Sequence, residues 1–415
     1  MHKKRFLRTI LPNPEKKGIV ILTGARQTGK TTLARLKYHN LRYINLDAPE
    51  NREIVRAIPS AFWARDIGNA IIDEAQKEPI VFDKIKYAYD DMGISFEVLL
   101  GSSQILLLKK IRESLAGRAA IYELWPLLMS EICGNSKNNI QFPLIDTLLK
   151  KPLEIHQIFE NTPGILMAKE CAIKKDAENY ILKWGGMPAL LPLSPEERRK
   201  WLKDYEYTYL ERDLSDLARL NDLQPFRKFQ KLSALRSGCL LNYSELARDA
   251  SVSVDTARRY LEYLNLSYQV ILLQPYFKNI TSSVVKTPKI YWLDIGLLRQ
   301  LSGFTGETTG QIFETMIVSE LIKWVKTMQR NVDIYFYRTR SGLELDLILQ
   351  TEKGIIGIEI KSREVVSKSD IKSMKIIASQ LGKEWKAGLL IYRGDTIRKI
   401  AEPNIWAVPS YRLFT

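Results

Sequence analysis

Residues 18–33 read GIVILTGARQTGKTTL, and this stretch organises the rest of the chain. Gly18-Ile-Val-Ile-Leu-Thr23 is a short apolar, β-branched run that reads as a buried strand. Gly24-Ala25-Arg26-Gln27-Thr28-Gly29-Lys30-Thr31 fits the pattern G-x-x-x-x-G-K-[ST] at every fixed position, and Thr32-Leu-Ala-Arg-Leu opens a helical pattern. Glycines let the backbone turn tightly enough for consecutive N–H groups to face phosphate oxygens, and a helix N-terminus adds partial positive charge. The spacing therefore predicts a nucleotide-phosphate loop over Gly24–Thr32. Lys30 would reach the β- and γ-phosphates, and the Thr31 hydroxyl would join the shell of a Mg²⁺ ion.

Working outward, Leu41-Arg-Tyr-Ile-Asn-Leu46 reads as a second strand. Ala70-Ile-Ile-Asp73-Glu74 is an apolar strand ending in two carboxylates. In a parallel sheet those acids lie at the carboxyl end, where ligands bind. Asp73 would hold the Mg²⁺, and Glu74 would orient and deprotonate the attacking water. Phe96-Glu-Val-Leu-Leu100 is a further strand and runs into Gly101-Ser102-Ser103-Gln104, where Ser103 would either sense the γ-phosphate or simply sit in a polar turn. A helix over residues 106–115 closes at Ala116-Gly117-Arg118 before a strand over residues 119–124. Arg118 would act either as an arginine finger on a neighbouring subunit, which makes a homo-oligomer, or as a surface charge at a helix end.

Together GARQTGKTTL, YINLDAP, AIIDEAQKEP, LLGSSQILLL and ESLAGR…ELWPLLMSEI resemble, in this order, the prokaryotic AAA-type P-loop ATPases that carry a C-terminal domain of unknown function. The likeness runs from the P-loop to Lys361. It implies an AAA+-like αβα sandwich that binds ATP. Trp184-Gly-Gly-Met-Pro188 is similar to the element that links the two regions in that family, with Ala189 where the family has Glu. A helix over residues 205–217 carries a stripe of tyrosines suited to packing.

Charge points to a partner. The 415 residues hold 62 Lys+Arg against 47 Asp+Glu, a net charge of +15, which favours a polyanion, nucleic acid before membrane. Cys133, Cys171 and Cys239 lie far apart, and His2, His39 and His156 are the only histidines, so neither a zinc site nor a His-based triad is expected. Scattered cysteines suit a reducing compartment. No run approaches ~18 apolar residues, and the basic start lacks an apolar signal core, so a cytoplasmic protein without a membrane anchor is expected.

In the second half, residues 241–249 and 253–264 read as two short helices joined by Ala250-Ser251-Val252. Val254, Ala257, Leu261 and Leu264 give the second a buried face, and Ser253 is placed to cap it. Thr256, Arg258 and Arg259 are left outside, as in the reading helix of a winged helix-turn-helix that binds DNA. The competing reading is a module that packs against protein. Further on, residues 342–350 and 355–361 form a hairpin. Alternation along its strands puts Glu344, Asp346, Glu359 and Lys361 on one face, with Asp346 opposite Glu359 and Glu344 opposite Lys361. This face resembles the metal site of the restriction-endonuclease-like PD-(D/E)xK nucleases. The resemblance implies Mg²⁺ on Asp346 and Glu359, with Glu314 from the preceding helix as a further ligand and Lys361 beside the nucleophile. Leu345 stands where the fullest pattern has Pro. A DNA-binding relic or a solvated face are the other readings.

The expected architecture is α/β: an AAA+-like P-loop αβα sandwich over residues 1–134, a helical lid or linker over 135–204, a winged helix-turn-helix region over 205–280, and a PD-(D/E)xK-like α/β domain over 281–415. The expected function is an ATPase using ATP and Mg²⁺ and acting on DNA. The alternative is a nucleotide-driven switch whose C-terminal half binds a protein partner and whose nuclease-like domain is inactive.

Overall fold

The apolar runs of the first third pair as parallel strands. In the computed structural model, which describes residues 3–101, 114–134, 141–218 (backbone alone for 208–218), 223–277 and 285–415, these are β1 (Gly18–Thr23), β2 (Arg42–Asn45), β3 (Ala70–Asp73), β4 (Phe96–Leu100) and β5 (Ala119–Glu123). Their order is β2-β3-β4-β1-β5, so β1 lies between β4 and β5 and delivers the loop after it to the carboxyl edge of the sheet. Period-2 alternation sorts the side chains into two layers. Val20, Leu22, Val98 and Leu100 pack with Leu33 and Ala34 of the helix Lys30–Lys37. Ile19, Ile21, Ile72 and Leu99 pack with Trp63, Phe82 and Ile85 on the other face. That is the expected P-loop αβα sandwich. Ser103 lies outside the described residues.

Two helices follow in which the backbone replaces a missing glycine. Tyr243–Ala250 begins at Asn242, whose side chain accepts from Glu245 N–H, and Val254–Leu266 begins at Ser253, which accepts from Thr256 N–H. Between them Ser251 adopts the left-handed conformation at φ 60° that a turn glycine usually supplies. The buried face differs in one position from the sequence expectation. Val254, the first helical residue, is 37% exposed, while Ala257, Tyr260, Leu261 and Leu264 are buried. Strands β6 (Val270–Leu273) and β7 (Lys289–Trp292) form an antiparallel hairpin after the second helix, so the pairing straddles residues 280 and 281.

The last third builds a six-stranded mixed sheet behind the helix Gly310–Thr327. Its strands are β8 (Val332–Arg338), β9 (Glu344–Thr351), β10 (Gly354–Lys361), β11 (Trp385–Tyr392), β12 (Arg398–Ala401) and β13 (Ile405–Pro409), in the order β12-β13-β11-β10-β9-β8. The β9–β10 register has Gln350 against Ile355 and Leu347 against Ile358, which carries Asp346 to the level of Glu359. One hydrophobic cluster runs from Phe6, Trp125 and Met129 through Tyr260 and Trp292 to Ile358 and Trp406. The regions therefore share a core. Among the described residues no helix is long and apolar enough to cross a membrane.

Candidate nucleotide site and carboxylate cluster

The loop after β1 is set by one close approach. Gly24 has φ 144°, and a Cβ there would lie 2.1 Å from the Leu124 carbonyl oxygen, so only glycine lets β1 and the segment after β5 meet. Lys30 is 8% exposed, and its ammonium donates to the carbonyls of Gly24 at 2.9 Å and Ala25 at 2.8 Å. A buried ammonium needs such partners. Thr31 Oγ1 donates to Asp73 Oδ2 at 2.7 Å, and Tyr43 OH donates to the same oxygen at 2.7 Å. Burial, then that hydrogen bond to the carboxylate, raises the Tyr43 hydroxyl above its ordinary range, so it stays protonated. Glu74 follows at φ 54°, with Gln76 Nε2 donating to its Oε2 at 2.6 Å.

Lys30, Thr31, Asp73 and Glu74 line one cavity of about 650 Å³. Arg26, Gln27, Thr28, Gly29, Lys30, Thr31 and Thr32 form its floor, with Asp73 and Glu74 at one side. The rest of the lining carries no local signal in the sequence. Lys3, Lys4, Arg5 and Arg8 line the cavity from the N-terminal segment, and Leu127, Pro188, Ala189 and Leu191 add an apolar side. Arg5 ties the segment down: its guanidinium donates to Thr28 O at 2.7 Å and pairs with Glu131 at 3.0 Å. Gly186 positions the apolar side, because Leu127 N–H donates to Gly186 O at 2.7 Å and a Cβ at Gly186 would strike Leu127 O at 2.3 Å. The basic run KKRFLR and the Gly-Gly turn were visible in the sequence, but nothing local said that they meet. The cavity gathers cations around a phosphate-type loop, with two acids at one edge and apolar surface at the other, which suits a nucleoside polyphosphate.

Arg118 lies elsewhere. β5 pairs with β1 as Ile19 to Ala119, so Arg118 stands at the amino edge of the sheet, the end away from Gly24. Its guanidinium is bidentate to Asp90, at 2.7 and 2.9 Å. That hydrogen bonding holds the Asp90 carboxyl below its ordinary value. Arg118 is not among the residues that line the cavity.

On the helix Val254–Leu266, Arg258 and Arg259 are exposed and Thr256 is half-buried. The Arg258 guanidinium lies 4.4 Å over the Tyr243 ring.

The second constellation sits on the C-terminal sheet. Asp346 Oδ2 accepts from Ile360 N–H at 2.7 Å, and Glu359 pairs with Lys361 at 2.6 Å. Glu344 does not face Lys361 as the strand register alone suggests. It pairs instead with Lys289 at 3.0 Å and Arg338 at 3.5 Å. Glu314 joins the group from the helix Gly310–Thr327, accepting from Tyr291 OH at 2.6 Å and pairing with Lys289 at 3.3 Å. Burial, then repulsion from Glu314 and Glu359, pushes the Asp346 carboxyl well above its ordinary value. Burial raises the Glu359 carboxyl too, against the pull of Lys361. The topology thus gathers Glu314, Asp346, Glu359 and Lys361, with Glu344 beside them. Yet among the described residues no three His, Cys, Asp or Glu side chains are arranged to hold a metal ion. Lys289 and Tyr291, in a strand that reads only as KIYW, gave no signal of this role.

Comparison with known proteins divides the chain in three. Residues 16–133 match the family described as AAA domain. Residues 174–308 and 309–413 match two families described as domains of unknown function, DUF8612 and DUF4143. The uncharacterized protein Rv2008c of Mycobacterium tuberculosis is 28% identical over 407 residues, which cover 96% of this chain and 81% of that protein. The uncharacterized protein MJ1544 of Methanocaldococcus jannaschii is 22% identical over 384 residues, covering 88% of this chain and 78% of that one. Among solved structures, the Walker-type ATPase PABY2304 of Pyrococcus abyssi aligns with a TM-score of 0.42 at 16% identity, over 69% of this chain and 91% of that one. The AAA domain match and the loop geometry together give a P-loop ATPase domain ahead of a C-terminal DUF4143 domain.

Proposed function

We propose that the protein is a Mg²⁺-dependent ATPase of the cytoplasm whose nucleotide cycle is coupled to binding DNA. The observation that carries the ATPase reading is the Thr31–Asp73 hydrogen bond, with Lys30 and Glu74 next in sequence to its two members. A hydroxyl and a carboxylate in contact form an all-oxygen donor set that fits a hard divalent ion. Thr31 and Asp73 would hold Mg²⁺, which neutralises phosphate charge when bound. The N–H groups of the loop and the Lys30 ammonium, released from the Gly24 and Ala25 carbonyls, bind the β- and γ-phosphates. Glu74 orients the attacking water and takes its proton. Leu127, Pro188 and Leu191 receive the base.

The DNA half rests on the +15 net charge and on the exposed Arg258 and Arg259, with Thr256, on the second helix of a winged-helix-like unit. The helix, β8–β9–β10, helix, β11 order of the C-terminal region and its carboxylate cluster support a PD-(D/E)xK-like relationship. The test is a DNA-binding series with ATP and ADP at varied salt. Binding that weakens linearly in log salt is expected, with Arg258→Ala plus Arg259→Ala lowering the slope by about one to two. Salt-independent or absent DNA binding would favour the alternative, a nucleotide switch acting on a protein partner.

A further inference from the structure

The carboxylate cluster holds two ammonium groups: Lys361, on Glu359, and Lys289, supplied by the neighbouring hairpin, on Glu314 and Glu344. Lys289 belongs to β7, where its backbone is held against Leu273 of β6 and against Leu240. Its side chain leaves that strand and enters the C-terminal sheet. Lys289 is only 4% exposed, and its ammonium lies 3.0 Å from Glu344 and 3.3 Å from Glu314. Tyr291, two residues on in the same strand, donates to Glu314 from the same side.

We infer that Lys289 is the resident cation on the Glu314–Glu344 side of this cluster, so that the β6–β7 hairpin keeps a divalent ion out of the carboxylates of Glu314, Glu344 and Asp346. Two arguments support this. A buried ammonium needs hydrogen-bonding or charged partners, and Glu314 and Glu344 are the acids in contact with this one. A divalent ion takes carboxylate oxygens at about 2.0–2.6 Å, and at that position it would repel an ammonium held by the same oxygens. The two occupants exclude one another. Because Lys289 is anchored through its strand, the ion enters only when the hairpin withdraws or the lysine is replaced. This inference rests on reading the cluster as a metal-type site, and it adds what controls that site.

The experiment is Mn²⁺ binding to the nucleotide-free full-length protein, followed by calorimetry and by the loss of the free-Mn²⁺ paramagnetic signal. Wild type should show no Mn²⁺ site that Asp346→Asn removes. Lys289→Met should gain about one Mn²⁺ per chain, and that site should vanish when Asp346→Asn or Glu314→Gln is added. Retained ATP binding serves as the folding control. If Lys289→Met does not accumulate as folded protein, Lys289→Met with Glu344→Gln, which removes one acid with the one base, carries the same measurement. Wild-type Mn²⁺ binding abolished by Asp346→Asn would overturn the role of Lys289 and leave the metal-type reading standing. A folded Lys289 variant without any Mn²⁺ site would overturn both.

Discussion

The Tyr268 hydroxyl donates to Thr23 Oγ1 at 3.1 Å in a buried contact that joins the end of the helical unit to the last residue of β1. The ring also meets Trp125 edge-on at 5.0 Å. The strand that feeds the phosphate loop is thus fastened to a residue 245 positions away. Tyr268→Phe keeps the ring contact and leaves the Thr23 hydroxyl without this partner. A loss of about 1 kcal/mol in urea unfolding is expected. An unchanged midpoint would show that the hydroxyl pair does not hold the two units together.

Glu97 gives a pH prediction. It lies in β4 beside Ile19, fully buried; its Oε2 accepts from Ala70 N–H at 3.0 Å, and its Oε1 has no partner among the described residues. Burial raises its carboxyl well above the ordinary value of 4.5. The native protein therefore keeps a proton that the unfolded chain releases above about 4.5. The stability linked to that proton is fully present below the unfolded value and is lost as pH rises toward the folded one. Glu97→Gln is neutral throughout, so its melting temperature should fall less than that of wild type between pH 5 and pH 8. Parallel melting curves would place the pH dependence elsewhere.

Arg118 gives a prediction about assembly. Since it stands at the sheet edge away from its own Gly24, any catalytic role must be on a neighbouring subunit, after release from Asp90. ATPase rate per subunit should then rise with concentration. Arg118→Ala should lower turnover by about 10³-fold, and mixing it with Glu74→Gln should restore part of it. A rate per subunit that stays flat into the dilute range would leave Arg118 as a surface partner of Asp90.

The strand–loop–helix of residues 18–37 was legible because each part has its own local signature: a β-branched run, glycines at fixed spacing, and an apolar stripe at Leu33 and Ala34. The Ser253 cap and the Gln350–Ile355 register were legible for the same reason, since both are set by neighbours a few residues apart. The contacts that complete each site were not. Arg5 meets Thr28 and Glu131, and Lys289 meets Glu314 and Glu344, through side chains brought together by packing of distant elements. A lysine in an otherwise apolar strand carries no local sign of whether it faces water or a carboxylate. Period-2 reasoning put Glu344 opposite Lys361, but the second strand bearing Lys289 competes for that carboxylate and wins by proximity.

ATP turnover by purified wild type, Lys30→Ala and Glu74→Gln, with nucleotide binding measured on the same samples, tests the phosphate-loop reading most directly. Wild type should hydrolyse ATP in the presence of Mg²⁺. Lys30→Ala should lose nucleotide affinity along with turnover, because the countercharge to the phosphates is gone. Glu74→Gln should bind ATP as wild type does and turn it over about 10²-fold more slowly or worse, the loss expected when a positioned base is removed with its shape retained. Wild-type turnover in Glu74→Gln, or nucleotide binding undiminished in Lys30→Ala, would contradict the assignment.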